Sequence, residues 1–186
     1  MDRIIELVCQ DPLRVKALRC AAQLELPDWY LAAGFVRNLV WDELHSLAQS
    51  TPLNDVDVIY FDPWEKDEHL ETYYQYQLTK MMPELNWQVK NQARMHLRNG
   101  DSPYTSSLDA MSYWPEKETA VGIRINSNLQ YQCAAAFGYQ SLFKLYVTHN
   151  PKRCKSVFDQ RISSKGWLSR WPKLIVVSES MQTEAQ

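Results

Sequence analysis

The stretch from Trp29 to Asp62 limits the fold more than any other part of this sequence. WYLAA (29–33) is a short apolar, aromatic-rich run of strand character, and Gly34 punctuates it. FVRNLVWDELHSLAQ follows, with Val36, Leu39, Val40, Leu44 and Leu47 on a helical stripe. After the polar turn STPLN comes DVDVIYFD, whose β-branched residues and early alternation read as the most secure strand of the chain. Strand, glycine turn, helix and second strand in this order call for a sheet covered by helices.

The flanking segments extend that plan. The first 25 residues read as helical, with Asp11 and Pro12 as an N-cap and first-turn pair and Pro27 as the stop. Residues 65–82 read as a helix ended by Pro83, NWQVKN as a strand, and QARMHLRNG as a polar turn closed by Gly100. Ser106 or Ser107 caps a short helix through Met111, and AVGIRI and LQYQC form a hairpin across Asn126, Ser127 and Asn128. Helices are expected from Gly138 to about Val147 and from Pro151 to about Ser163, with Trp167, Trp171 and Pro172 pinning the C-terminal segment onto the rest. The aromatic helix bearing Tyr73, Tyr74 and Tyr76, with Trp64 nearby, reads mainly as core and alternatively as a base-stacking surface. The expectation is a mixed α/β (α+β) fold, a mixed sheet with flanking helices. It forms one domain over residues 1–175, followed by a flexible tail over 176–186.

At 186 residues and a formal charge of -2, the chain suits one sizeable core and lacks whole-surface attraction to nucleic acid. No run of 18 apolar residues exists, so no membrane span is expected. Cys9, Cys20, Cys133 and Cys154 lie far apart without a C-x-x-C pair, and read as reduced, core-type thiols of a cytoplasmic protein. Charge is uneven: residues 144–173 carry eight Lys and Arg against Asp159 alone. That segment reads as a solvated basic face, or as a holder of phosphates or nucleic acid.

Chemistry concentrates between Gly34 and Asp57. Side chains alternate along a strand, so Asp55 and Asp57 share a face, roughly 6–7 Å apart at Cα. Two like charges there repel unless a cation lies between them, and Mg²⁺ or Mn²⁺ fits carboxylate oxygens and bridges to a nucleoside triphosphate. A strand turning through Gly34 into a helix aims N–H groups at an anion, and Arg37 in the first turn adds a planar donor for phosphate.

AAGFVRNLVWDEL followed by NDVDVIYFD resembles the head-domain signature of tRNA CCA-adding enzymes and bacterial poly(A) polymerases, in the polymerase-β-like nucleotidyltransferase superfamily. VKNQARMH (89–96), the stretch from Tyr104 to Trp114-Pro115, TAVGIRI, FGYQSLF and KGW…RWPKL are similar to a small bacterial nucleotidyltransferase-like family. The resemblance implies Asp55 and Asp57 as catalytic, metal-binding carboxylates, and the Gly34–Phe35 turn with Arg37 facing phosphate. It marks Lys90, Asn91, Arg94 and His96 as candidates near the nucleotide or acceptor. His96 also reads as a structural hydrogen-bonding residue.

The sequence departs from the family pattern at three places. Phe35 stands where a second small residue is usual; NWQVKN offers Gln88 and Lys90 instead of a third carboxylate, leaving Asp62 or Asp109 as substitutes; and Gln140-Ser141 carries no acid. The expected function is metal-dependent transfer of a nucleoside monophosphate from a triphosphate to a hydroxyl acceptor, whether small molecule, RNA or protein. The alternative is a nucleotidyltransferase-fold module with decayed chemistry that binds nucleotide, RNA or protein.

Overall fold

Tyr30–Ala32 (β1), Val56–Tyr60 (β2), Trp87–Asn91 (β3), Val121–Ile125 (β4) and Tyr131–Ala135 (β5) build a five-stranded mixed sheet ordered β3-β2-β1-β4-β5. The structure is a computed structural model and describes residues 2–178. β2 and β3 run parallel and the other neighbours antiparallel, with Asp57 opposite both Gln88 and Ala32, and Ala32 opposite Gly122.

Alternation along these strands sorts the sheet into two unlike faces. Leu31, Val56, Val58, Tyr60, Trp87, Val89 and Ile123 enter the large core beneath the helices. Tyr30, Ala32 and Ile59 point the other way, into a small cluster with Met111, Ala120 and Ala134. Asp57 belongs to that thinly covered side, which leaves its carboxylate next to a cleft rather than inside the large core.

The N-terminal segment expected as helical forms two helices, Asp2–Cys9 (α1) and Pro12–Ala22 (α2), the second starting at the expected Asp11-Pro12 pair. The break follows from the capping pair: Asp11 accepts the Arg14 N–H at 3.1 Å, and Pro12 sits where its missing N–H costs nothing. Gly34–Leu44 (α3) follows β1 directly; Leu47, placed on its stripe by the sequence, lies beyond its end and is exposed. Leu70–Met81 (α4) is shorter than the expected 65–82. Tyr73, Tyr76 and Trp64 are exposed, and only Tyr74 packs on the core, so the core reading holds for one of that aromatic group.

The segment expected as a polar turn is a helix, Gln92–Asn99 (α5). The Asn91 side chain accepts the Ala93 N–H at 3.0 Å to start it, and Gly100, at φ 71°, stops it in the left-handed conformation. A helix this polar gives almost no apolar periodicity to read. Ser107–Met111 (α6) is capped by Ser106 as expected. The helix expected from Gly138 to Val147 shrinks to Gln140–Phe143 (α7), and Tyr146–Thr148 becomes a strand, β6. Lys155–Ser164 (α8) and Trp167–Arg170 (α9) precede Ile175–Val177 (β7), which pairs parallel to β6.

β7 runs across the expected boundary at 175, because Val176 and Val177 pair with β6; of the expected tail, residues 179–186 lie outside the described residues. All four cysteines are free, but only Cys20 is buried and Cys133 half-buried, whereas Cys9 and Cys154 are exposed. No helix among the described residues is long and apolar enough to cross a membrane.

Candidate active site

Two adjoining clefts open on the thin side of the sheet, and both are lined by Asp55 and Asp57. Ala33, Thr119, Arg161 and Lys165 also line both. The first, about 200 Å³, continues along Gly34, Arg37 and Asn38 to Arg170 and Trp171. The second, about 350 Å³, continues along Gln88, Lys90, Gln92 and Met95 to Trp114.

Asp55 precedes β2, is exposed, and accepts the Asn86 side-chain N–H at 2.6 Å. Asp57, one pleat further, is half-buried. Burial foremost, and then the neighbouring Asp55 charge, push its carboxyl above the ordinary value, while Arg37, Lys165 and Arg161 pull it back. A pair of carboxylates held against that repulsion, with oxygens facing a cleft, is a hard-donor set suited to Mg²⁺ or Mn²⁺. Among the described residues no group of three or more His, Cys, Asp and Glu is placed to hold a metal ion, so protein donors stop at this pair.

The turn from β1 into α3 is tight. Ala33 adopts φ 55° and ψ -121°, a strained position for a residue with a Cβ, and its N–H reaches the Val121 carbonyl at 2.9 Å. Ala33 and Gly34 therefore form the small-residue pair facing the cleft. Phe35 corrects the sequence reading: its side chain is fully buried in the large core, where its carbonyl accepts the Arg14 Nε–H at 2.9 Å. A Cβ on Gly34 would meet Asn38 Nδ2 at 3.3 Å and Arg37 Nη2 at 3.6 Å, crowding the cleft floor. Among the described residues the Gly34 and Phe35 N–H groups donate to nothing, leaving the positive end of α3 open to an anion.

Arg37 lies between two indoles, its guanidinium carbon 4.9 Å from the Trp41 ring centre and 4.5 Å from that of Trp167. Nε and Nη2 donate to Asn38 Oδ1 at 3.2 and 2.9 Å, and Nη1 donates to Thr119 Oγ1 at 3.1 Å. Burial lowers its pKa to about 10, with Glu116 as the main counterweight, so it stays charged at neutral pH. Glu116 is itself fully buried; it accepts the Thr119 hydroxyl at 2.9 Å and binds Arg161 Nε at 2.5 Å. Arg161 and Lys165, one turn apart on α8 and at its end, thus border the carboxylate pair, and Arg170 of α9 follows. The basic C-terminal segment splits: these three residues line the first cleft, whereas Lys155 pairs with Asp159 and Lys152 packs on Tyr113.

Four other sequence candidates fall differently. Lys90 lines the second cleft, with its Nζ held by Glu71 at 2.7 Å. Asn91 is buried and spent on structure: it caps α5, accepts the Asp62 N–H and donates to the Asp62 carbonyl. Arg94 bridges Glu65 and Glu71, and His96 Nδ1 bonds the Ala93 carbonyl on its own helix. Gln92 and Met95 of the same helix face the second cleft instead. The helix, read as a turn from sequence, could not show which of its sides meets the site.

Neither proposed substitute for a third carboxylate reaches the clefts. Asp62 accepts the Trp64 N–H in a local turn, and Asp109 binds back to Thr105 at the start of α6. Gln140 and Ser141 sit on α7 and line neither cleft.

This arrangement matches known proteins at the level of both fold and family. A solved structure described as revealing a CCA-adding enzyme head domain superposes with a TM-score of 0.84 at 32% identity, covering 96% of each chain. A CCA-adding enzyme in complex with CTP gives a TM-score of 0.61 at 13% identity, over 96% of this chain and 44% of that one. A tRNA-processing enzyme complex gives 0.54 at 15% identity, over 90% of this chain and 44% of the other. The fold is therefore that of a CCA-adding enzyme head domain, and the chain spans less than half the length of these two larger enzymes. The nucleotidyltransferase family model matches residues 19–176, and the chain belongs to that family. No curated protein matches it.

Proposed function

We propose that the chain is a metal-dependent nucleotidyltransferase that moves a nucleoside monophosphate from a triphosphate to a hydroxyl acceptor. The observation that carries this is the shared cleft: Asp55 and Asp57 face Arg37, Arg161, Lys165 and Arg170 across the open start of α3. Asp55 and Asp57 would hold Mg²⁺ or Mn²⁺ through their carboxylate oxygens. When bound, such an ion neutralises charge between carboxylates and phosphate and stabilises the leaving oxygen. Arg37 holds phosphate oxygens from a side chain fixed on four sides, so little ordering is needed on binding. Arg161, Lys165 and Arg170 take up the charge that accumulates on departing pyrophosphate.

The CTP named with the CCA-adding enzyme supports a nucleoside triphosphate as donor. Of the basic segment, Arg161, Lys165 and Arg170 then serve the donor rather than an anionic acceptor. Asn91, Arg94 and His96 are assigned no part, because none of them lines either cleft.

A second reading, a nucleotide-binding module without turnover, draws on the lack of a third carboxylate beside Asp55 and Asp57 among the described residues. One experiment separates them. Pyrophosphate release with Mg²⁺ and each of the four triphosphates is expected from the wild type and absent from Asp55→Asn/Asp57→Asn. Release unchanged in the double variant would remove the carboxylates from the reaction. Calorimetric triphosphate binding without any release would favour the module.

A further inference from the structure

We infer that the second cleft is the acceptor site and that the acceptor is a neutral, hydroxyl-bearing ring about the size of one sugar unit. This rests on the nucleotidyl-transfer reading above and goes beyond it. In a displacement at phosphorus the attacking and leaving oxygens lie roughly in line, on opposite sides of the atom. Asp55 and Asp57 line both clefts, so the reacting α-phosphorus belongs where the clefts join. The first cleft adds Arg37 and Arg170 to the shared Arg161 and Lys165, and so takes the pyrophosphate. The attacking oxygen must then arrive from the second.

The walls peculiar to that second cleft are of another kind. Ile59, Met95, Trp114 and Pro115 are apolar, and Gln88 and Gln92 supply amides. Gln88 is the parallel partner of Asp57, which sets its amide beside the reacting centre, where it can hold a hydroxyl. Trp114 brings an indole to this lining, against which the carbon skeleton of a ring can pack. The rim is already neutralised: Glu71 holds Lys90 at 2.7 Å and Arg94 at 3.3 Å. A polyanion needs a row of free cations, and its binding then weakens as salt rises. Of the cations that line this cleft, Lys90 is paired with Glu71, Arg161 is paired with Glu116, and Arg161 and Lys165 stand on the side shared with the first cleft. The wall peculiar to the second cleft therefore offers a polyanion no row of free cations among the described residues. In the step itself, a lone pair of the acceptor hydroxyl forms the new O–P bond. The bond from the α-phosphorus to the bridging oxygen breaks, its electron pair leaves with pyrophosphate, and the hydroxyl proton passes to water.

The test uses the full chain, isotopically labelled, with Mg²⁺ and the α,β-methylene analogues of ATP and CTP, followed by two-dimensional NMR. Nucleotide is expected to shift the Trp167 and Trp171 indole signals and leave those of Trp114 and the Gln88 amide in place. Adding D-ribose or myo-inositol should then shift Trp114 and Gln88, unaffected by raising NaCl from about 50 to about 300 mM. Gln88→Leu should weaken that second event at least tenfold while keeping the nucleotide shifts, which also reports that the variant is folded. Nucleotide that itself shifts Trp114 and Gln88, neutral rings that shift neither, or a short oligoribonucleotide that binds there instead would overturn the assignment. Silence of Trp167 and Trp171 toward nucleotide would overturn the transferase reading first, and is a separate result.

Discussion

Trp171 donates its indole N–H to Asp42 Oδ1 at 2.8 Å, across 129 residues of chain. The same buried carboxylate accepts the backbone N–H and the hydroxyl of Thr51 at 2.6 and 2.7 Å. One side chain thereby fastens α3, the loop leading to Asp55 and the C-terminal segment, all of which contribute to the first cleft. Trp41 adds edge contacts to Trp167 and Trp171, with ring centres 5.9 and 5.1 Å apart.

Asp42→Ala strands three buried donors, and leaving such groups unpaired costs about 1–3 kcal/mol each before relaxation and water entry reduce the sum. The expected loss in urea unfolding is about 3 kcal/mol or more. Trp171→Phe removes one donor together with its acceptor bond and should cost about half as much. Both should weaken triphosphate binding, although neither residue carries a charge toward phosphate. Equal and small losses, below about 1 kcal/mol, would mean that the carboxylate does not fasten these elements.

Arg37→Lys is expected to behave as a severe change. The guanidinium is planar, fits between the Trp41 and Trp167 rings, and donates to Asn38 and Thr119 from separate nitrogens. An ammonium keeps the charge but loses the stacking and the fork. Burial that already draws the arginine to about 10 acts on a lysine starting from a lower value. Stability should fall by about 1–2 kcal/mol, and triphosphate affinity by at least tenfold in calorimetry at neutral pH. Affinity within twofold of wild type would show that Arg37 supports the wall without touching ligand.

How much of this was legible in the sequence depends on the range of the interactions. Asp55 and Asp57 on one strand face, and Gly34 and Arg37 at a helix start, follow from periods of 2 and 3.6 residues. The basic character of residues 144–173 was equally visible, but which of its cations meet Asp57 depends on how α8 docks. Asp42 gave no signal, because its partners Thr51 and Trp171 are joined to it only by tertiary packing. Glu116, Glu118 and Thr119 were hidden for the same reason; Glu118 accepts the N–H and hydroxyl of Thr148 at 2.7 Å, in a strand that the sequence presented as the end of a helix. α5 misled in the opposite way: a local cap at Asn91 and a stop at Gly100 fix a helix whose composition hides it.

Gly122 was read only as part of a hairpin, yet a Cβ there would fall 2.9 Å from Tyr30 Cβ and 3.4 Å from the Leu31 carbonyl. Neither neighbour can rotate away, since one is the first side-chain atom of β1 and the other is backbone. Gly122→Ala should therefore spread β1 from β4, directly beneath the turn at Ala33, and cost about 2 kcal/mol in thermal or urea unfolding. A neutral or stabilising result would show that the two strands sit further apart than this packing allows.

Asp101 and Arg153 join the loop after α5 to the segment before α8 through two parallel bonds of 2.8 and 2.5 Å, and Tyr104 adds its hydroxyl to the same carboxylate. The Arg153 hydrogen bonds are the main force holding the Asp101 carboxyl below its ordinary value. A depressed carboxyl stabilises the fold above the unfolded pKa, near about 3.9, and that contribution disappears as pH falls through the lower folded value. The gap in unfolding free energy between wild type and Asp101→Asn should accordingly stay constant, at about 2 kcal/mol, from neutral pH down to about pH 5, and close below about pH 4. Triphosphate binding should be unaffected, because neither residue lines the clefts. A gap that instead widened with acid would reverse the sign assigned to this ion pair, and a gap absent at neutral pH would reduce it to a surface contact without consequence for the fold.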